Sequence, residues 1–521
     1  MGAVRNILFI MADQLRWDYL GCCGHPTIKT PNIDRLAASG VLFDRGYVQS
    51  PVCGPSRMSF YTGRYVSSHR STWLQVPLPL SEVTFGDYLR AGGRDLHLVG
   101  KSHFFPDRKG IDRLGGLTDP ERRGIAIEGG FEVLVRDDGV FGHGPIDTDY
   151  ARYLRSRGYS SDNPWHDFAN SAEGPDGEIL SGWEMRYARQ PARVADEHGE
   201  TAFMTDRAIG FIDEKDDEPW CMHLSYIKPH WPYVVSAPYH EMYGEADIVA
   251  PNRARERPDH PVHKAFSERI DGRTFMRDDV RNEVVPIYMG LISQLDAHIG
   301  RLLDHLEAVG RFDDTLIIFT SDHGDYLGDH WLGEKEMFHD ASVRMPLIIR
   351  DPRAGADGRR GEVSHALVQG IDVLPTVLDA LNLPVPAEAI EGTSLIPMLH
   401  GKQTEPASRL VFSEIDYAFH SDIRAALNRP LDGCRGYMVF DGRWKYVLWE
   451  GFEPQLFDLQ TDPGERADHA QDPSHGTERT RLHEALFAWI RGLKARTTVT
   501  HAFVEEWQDK AMAAGIRPAV W

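Results

Sequence analysis

Four short apolar runs in this chain each stop in a cluster of polar residues able to do chemistry. Val4–Met11 (VRNILFIM) leads into Ala12-Asp13-Gln14. Leu96–Val99 stops at Gly100-Lys101-Ser102-His103, and Trp220–Tyr226 at Ile227-Lys228-Pro229-His230. Thr315–Thr320 (TLIIFT) stops at Ser321-Asp322-His323-Gly324-Asp325. Runs this short, rich in β-branched residues, predict buried strands. Helical spacing lies between them. Thr30-Pro31-Asn32 is a helix start signal, with Ile33, Leu36 and Ala37 on one face. From about Ile287 to Ala308, the residues Leu291, Ile292, Leu295, Ile299, Leu302, Leu303 and Leu306 recur at three and four. Strands alternating with helices predict an α/β fold, a large, mixed, mostly parallel sheet sandwiched by helices. In such sheets ligands bind beyond the carboxyl ends of the strands. Polar residues follow strands in any protein, because loops are polar, but four clusters of catalytic-type side chains exceed that expectation.

The rhythm breaks twice. Residues from about 105 to 200 are rich in Gly, Arg, Asp and Ser, and read as an insertion covering the site or as an irregular surface excursion. Asn382–Ala389 (NLPVPAEA) reads as a connector. The organisation expected is therefore a catalytic domain over 1–385, with the insertion inside it, and a smaller C-terminal α+β unit over 386–521. That unit shows strand-like pieces at Leu410–Glu414, Gly436–Phe440 and Trp444–Trp449, with a hairpin signal at Asp441-Gly442. A helix is predicted over about Glu478 to Lys494, before a tail, Val504 to Trp521, that either docks on a neighbouring subunit or frays.

Composition narrows the function classes. In 521 residues, 78 Asp and Glu against 57 Lys and Arg give a net charge of −21. That argues against a nucleic-acid binder, whose mark is a basic stripe. It leaves an anionic small substrate open, because the potential in a cleft can oppose the net charge. No stretch approaches the roughly 18–20 apolar residues that span a bilayer, and the N-terminal run turns polar too soon for a secretory segment. The five cysteines (Cys22, Cys23, Cys53, Cys221, Cys434) form no disulfide framework and lack paired zinc spacing. The expectation is a cytoplasmic protein without a membrane partner.

The richest stretch is Cys53-Gly54-Pro55-Ser56-Arg57, continuing to Thr62-Gly63-Arg64. Taken alone, Cys53 near the start of a helix and an Arg reads as a thiol of lowered pKa, or as a buried structural cysteine. The spacing C-x-P-x-R-x-x-x-x-T-G, however, resembles the signature of the sulfatase family of the alkaline phosphatase superfamily. The resemblance continues in Asn6–Gln14, Thr30–Phe43, Gly100-Lys101 with His103, Pro229-His230, Ser321–Gly324, Gly333-Glu334-Lys335 and Gln455–Glu465. It implies that Cys53 is oxidised to formylglycine by a maturation enzyme, and that the aldehyde hydrate is the nucleophile. It implies one divalent metal held by Asp13, Gln14, Asp322 and His323. Arg57 would steady the nucleophile as a fixed cation, Lys101 and His103 would flank it, and His103 would be the base that breaks down the intermediate. His230 and Lys335 would bind the ester and protonate its leaving oxygen. Large members of the family are often dimers or tetramers, and a homo-oligomer is expected.

Two departures bear on the substrate. Sulfatases usually offer Asp-Asp and Asp-Asn in the two metal loops, an oxygen cage suited to calcium. Here the pairs are Asp13-Gln14 and Asp322-His323. An imidazole suits a transition metal better, so manganese is expected before calcium. These pairs, and Leu327-Gly328-Asp329-His330, are similar to the phosphonate monoester hydrolase branch, whereas Lys101 and His103 match ordinary sulfatases. The sequence points to a promiscuous arylsulfatase acting on small anionic esters, with a phosphonate monoester or phosphodiester hydrolase as the runner-up. It also leaves open a non-catalytic binding protein of the same fold, and an enzyme that uses the Cys53 thiol directly. Outside the resemblance, Asp13 could cap a turn, Asp322 and His323 could form one, and Lys101 and Lys335 could be solvated surface lysines.

Overall fold

The computed structural model describes residues 4–115, 119–402 and 409–515. Eight strands form the main sheet: β1 (Asn6–Asp13), β2 (Val41–Tyr47), β3 (Leu96–Gly100), β4 (Glu132–Arg136), β7 (Cys221–Pro229), β8 (Thr315–Ser321), β9 (Arg344–Arg350) and β10 (Glu362–Gln369). A separate small hairpin, β5 (Ser171–Glu173) with β6 (Ile179–Ser181), lies in the stretch expected as an insertion. The strand order is β10-β2-β9-β8-β1-β7-β3-β4. β9 runs antiparallel to both its neighbours, and every other adjacent pair is parallel. This is the mixed, mostly parallel sheet expected.

The central strands read as unbroken apolar runs because both faces are covered. In β1, Ile7, Phe9 and Met11 enter one core, while Leu8, Ile10 and Ala12 enter the other. Leu316 and Ile318 of β8 follow the first set, and Ile317 and Phe319 the second. The helix Asp278–Ala308 seals the second face with Leu291, Leu295, Leu302 and Leu306. It begins nine residues before the predicted start at Ile287 and contains Pro286. Pro286 lacks the N–H that would bond the Asn282 carbonyl. Arg189 supplies that bond instead, from Nη2 at 2.9 Å.

The expected insertion is in part integral to the sheet. β4 pairs parallel to β3 at the edge, and its EVLVR sequence places charges at both ends of a short strand, which hides it from the apolar pattern. The C-terminal strands β11 (Val411–Asp416), β12 (Arg435–Phe440), β13 (Trp444–Trp449) and β14 (Gln455–Asp458) form an antiparallel sheet in chain order. Gly442, at φ 97°, makes the turn predicted at Asp441-Gly442. One face of this sheet (Met438, Phe440, Val447, Trp449) joins the core of the main sheet. The other (Val439, Tyr446, Leu456) packs with Leu482 and Leu486 of the helix Gly476–Gly492. Lys445 is fully buried between the two sheets, 2.6 Å from Asp340 and 2.5 Å from Glu465.

In the tail, the helix His501–Ala513 leaves Phe503, Val504 and Trp507 exposed. Residues 516–521, including Trp521, lie outside the described residues. Among the described residues no helix is long and apolar enough to cross a membrane.

Candidate active site

Four neighbouring parallel strands, β8, β1, β7 and β3, end side by side, and their ends carry Asp322 and His323, Asp13, His230 and Lys101. The parallel pairing aligns Ala12 with Ser321 and Asp13 with Pro229. β3 ends at Gly100, whose φ is 101°; an added Cβ would sit 2.1 Å from the Ser225 carbonyl oxygen. Only glycine allows that approach, and it lets the Lys101 N–H donate to the same carbonyl at 2.9 Å.

The signature is a single helix, Cys53–Thr62. Pro55 sits in its first turn, where a missing N–H costs nothing. Arg57 lies one turn after Cys53 and so on the same face. Thr62 donates back to the Met58 carbonyl at 2.7 Å, and Gly63, at φ 65°, ends the helix in the left-handed region. The motif is thus a start, one functional face and a stop.

These elements build a buried ionic floor. Cys53, Asp13, Arg57, Lys101, Asp322 and His323 are all buried. Arg57 spans the two carboxylates: its Nε donates to Asp322 Oδ2 at 2.8 Å, and its Nη2 lies 3.4 Å from Asp13 Oδ2. Its Nη1 donates to the Lys101 carbonyl at 2.9 Å and to Ser225 Oγ at 2.7 Å. Lys101 Nζ is 2.5 Å from Asp13 Oδ2. Burial alone would push the Asp13 carboxyl up, but Lys101, His230, Arg57 and His323 outweigh it and hold it well below the usual range.

The same floor fits a divalent ion. One ligand atom each from Asp13, Cys53, Asp322 and His323 lies within 4.8 Å of the others. His323 donates through Nδ1 to the Gly324 carbonyl at 2.8 Å, so its Nε2 lone pair faces inward, 2.9 Å from Cys53 Sγ. A backbone acceptor on the far nitrogen is the usual orientation of a metal-binding imidazole. With Oδ2 of Asp13 held by Lys101 and Arg57, its Oδ1 faces the cluster, 3.8 Å from Cys53 Sγ and 3.9 Å from His323 Nε2.

Gln14 is placed differently from Asp13. It stands in the left-handed region at φ 63°. Its amide nitrogen donates to Asp325 Oδ2 at 2.5 Å, and its amide oxygen accepts from Lys335 Nζ at 2.9 Å. Its backbone N–H donates to Asp322 Oδ1 at 3.1 Å. The side chain therefore links Asp325 to Lys335 at the edge of the metal floor.

Facing the cleft, Lys335 Nζ also lies 3.3 Å from His230 Nε2. His230 donates from Nδ1 to the Trp231 carbonyl at 2.8 Å. Burial holds His230 well below the ordinary histidine range. Burial and then Lys101 lower His103, whose imidazole meets Cys53. His103 Nδ1 is buried with no hydrogen-bond partner.

Three positioning residues carry no role in the sequence reading. Asp138 Oδ1 accepts the backbone N–H groups of Ser102, at 3.0 Å, and His103, at 2.8 Å, and so holds the loop after β3. Asp325, raised chiefly by burial, accepts from Tyr233 at 2.7 Å and orients Gln14. Glu334, pushed up to about 8 chiefly by burial, lies in the cleft 3.8 Å from Lys335. Asp325 closes the polar cluster after β8, which is its signal in the sequence; Asp138 has no signal of its own.

Above the floor opens a cleft of about 710 Å³. Cys53, Lys101, His103, His230 and Lys335 face it from below, and Leu74, Phe104, Phe105, Ile127, Val140 and Ile270 form its apolar wall. The site residues expected from sequence thus converge on one cleft, with Gln14 at its edge.

The model of the family described as sulfatase matches residues 5–383. One described as the C-terminal part of N-sulphoglucosamine sulphohydrolase matches residues 328–491. A multifunctional alkaline phosphatase superfamily protein, PehA, of Trinickia caryophylli is 33% identical over 95% of this chain and 97% of its own. The choline-sulfatase of Rhizobium meliloti is 30% identical over 98% of this chain and 88% of its own. Among solved structures, the phosphonate monoester hydrolase of Silicibacter pomeroyi superposes with a TM-score of 0.83 at 29% identity, over 95% of this chain and 98% of its own. That of Agrobacterium radiobacter gives 0.81 at 30%, over 95% and 97%.

Proposed function

This chain belongs to the sulfatase family of the alkaline phosphatase superfamily, and from that premise we propose that it hydrolyses phosphonate monoesters and phosphodiesters, with aryl sulfate esters as a second substrate class. The likeness to PehA and to two phosphonate monoester hydrolases favours this order over the sulfate-first reading of the sequence. The observation that carries it is the junction of a cationic floor with an apolar wall. A sulfate monoester and a phosphonate monoester are both tetrahedral monoanions, so Arg57, Lys101 and Lys335 meet the same charge in either. Beyond the central atom, sulfur against phosphorus, they differ in one substituent, an oxygen in the sulfate and a carbon group in the phosphonate. Leu74, Phe105, Ile127 and Ile270 give that carbon group an apolar surface. Lys101 and His103, the pair that pointed to sulfatases, support retained sulfate turnover.

Cys53, converted to formylglycine by a separate maturation enzyme, supplies an oxygen nucleophile that a thiol does not. A divalent ion, manganese before calcium, supplies Lewis-acid stabilisation of negative charge; Asp13, Asp322 and His323 would hold it, with Gln14 at its edge. The chain's own side chains do the rest. Arg57 is locked by Asp322, Ser225 and the Lys101 carbonyl, so it presents a cation that need not reorganise. His103, kept neutral by burial and Lys101, takes a proton at the nitrogen facing residue 53. Lys335 spends two N–H groups on Gln14 and His230 and keeps a third for the leaving oxygen. The exposed apolar face of the helix His501–Ala513 supports self-association into a dimer or tetramer.

The test compares kcat/KM of aldehyde-bearing protein for an aryl phenylphosphonate, an aryl phosphodiester and an aryl sulfate sharing one leaving group. The phosphonate and diester are expected to exceed the sulfate. Sulfate turnover without either of the others would overturn the proposal.

A further inference from the structure

The C-terminal unit carries a group of chemistry-bearing side chains that ester hydrolysis does not use. His469, Asp472 and His475 lie on the turn between β14 and the helix Gly476–Gly492. One ligand atom from each lies within 4.8 Å of the other two. The backbone winds them together: Asp472 N–H donates to the His469 carbonyl at 3.0 Å, and His475 N–H to the Asp472 carbonyl at 3.1 Å. Asp472 Oδ1 accepts from the Ser474 backbone at 2.8 Å and from its hydroxyl at 2.7 Å. That leaves Oδ2 for His475, whose Nε2 is 3.9 Å away.

The two imidazoles are free for a ligand. Their centroids are 5.1 Å apart, and His475 rests on the Trp444 ring at 5.0 Å, which limits its rotation. Among the described residues, neither imidazole has a hydrogen-bond partner. The turn is itself anchored, by the His469 N–H on the Leu456 carbonyl at 2.8 Å and by Arg479 on the Ala470 carbonyl. Two imidazoles and one carboxylate suit a borderline transition ion, whereas calcium and magnesium prefer oxygen alone. Three protein ligands would cover one face of the ion, and water would complete it.

We propose that His469, Asp472 and His475 form a second metal site, on the surface of the C-terminal unit, that takes a borderline transition ion of the zinc class. The ion ties the turn after β14 to the start of the helix Gly476–Gly492. It plays no part in the chemistry at Cys53.

The test uses full-length protein stripped by a chelator and then dialysed against zinc. The wild type is expected to retain one zinc per chain more than the variant His469→Gln/His475→Gln. The readout is the difference between the two proteins, so occupancy of the centre at Asp13 does not enter it. Zinc is expected to raise the melting temperature of the wild type more than that of the variant. A second variant, Asp472→Ser, keeps a side chain able to cap the turn but removes the carboxylate, and is expected to lose the same equivalent. Equal zinc content in wild type and both variants, or retention of the extra equivalent only at millimolar free zinc, would overturn the site.

Discussion

On the floor of the cleft, Asp13, Arg57, Lys101 and Asp322 are buried and bound to one another by ion pairs, whereas on its wall Phe105, Val140 and Ile270 stand 38%, 41% and 75% exposed. The floor comes from adjacent strand ends and one helix, so its parts are held by the sheet. The wall residues Leu74, Phe105, Ile127, Val140 and Ile270 come from loops and helix ends far apart in the chain, none of them on a strand of the main sheet. A floor so constrained offers the same charges to any monoanionic ester. Discrimination between esters then falls to the wall, where an apolar contact is worth about 1–3 kcal/mol.

The largest effect expected lies at the centre of the floor. Cys53→Ala lowers kcat by roughly 10⁴–10⁶-fold, and by the same factor for sulfate, phosphonate and diester. Steady-state rates on all three check it; a loss confined to one class would break the division between floor and wall. Lys335→Ala is expected to cost about 10²–10³-fold in kcat. The loss should be larger for an alkoxide leaving group than for a nitrophenolate, because only the former needs a proton. An equal loss for both would move Lys335 from leaving-group donor to simple charge.

On the wall, Ile270→Ala and Phe105→Ala should change kcat/KM by about tenfold, and unequally among esters. They should leave the preference for a good leaving group intact. The smallest effect is a shift along the pH axis. Burial and Lys101 both lower His103, so it stays neutral to a lower pH than an ordinary histidine. The acid limb of kcat, the parameter that includes breakdown of the intermediate, should therefore fall below the usual histidine value, about 6.5. Lys101→Met removes one cause of the lowering, so that limb should move to higher pH; a limb that stays in place would remove His103 from the base role.

The same division explains what is legible in the sequence. Cys53, Pro55, Arg57, Thr62 and Gly63 belong to one helix, so their spacing records local geometry. Asp13, Lys101, His230 and Asp322 each follow an apolar run, and a parallel sheet brings such ends together. Asp138 is invisible there because it acts on the backbone of Ser102 and His103, a contact made across the insertion. β4 escapes notice because an edge strand with charged ends lacks the apolar signature. The early start of the helix Asp278–Ala308 is hidden by Pro286, whose orphaned carbonyl partner is satisfied by a distant arginine. Leu74, Val140 and Ile270 meet only in the fold, and no periodicity links them. Chemistry set on one helix and on the ends of apolar strands can be read; selectivity assembled from scattered loops and helix ends cannot.

The central claim is that residue 53 acts as an aldehyde and not as a thiol. Mass spectrometry of the peptide containing Cys53, from preparations with graded exposure to the maturation enzyme, tests it most directly. Specific activity should rise in proportion to the fraction of that peptide carrying the thiol-to-aldehyde mass change, and should vanish where the thiol is intact. Full activity in protein whose Cys53 remains an unmodified thiol would contradict it.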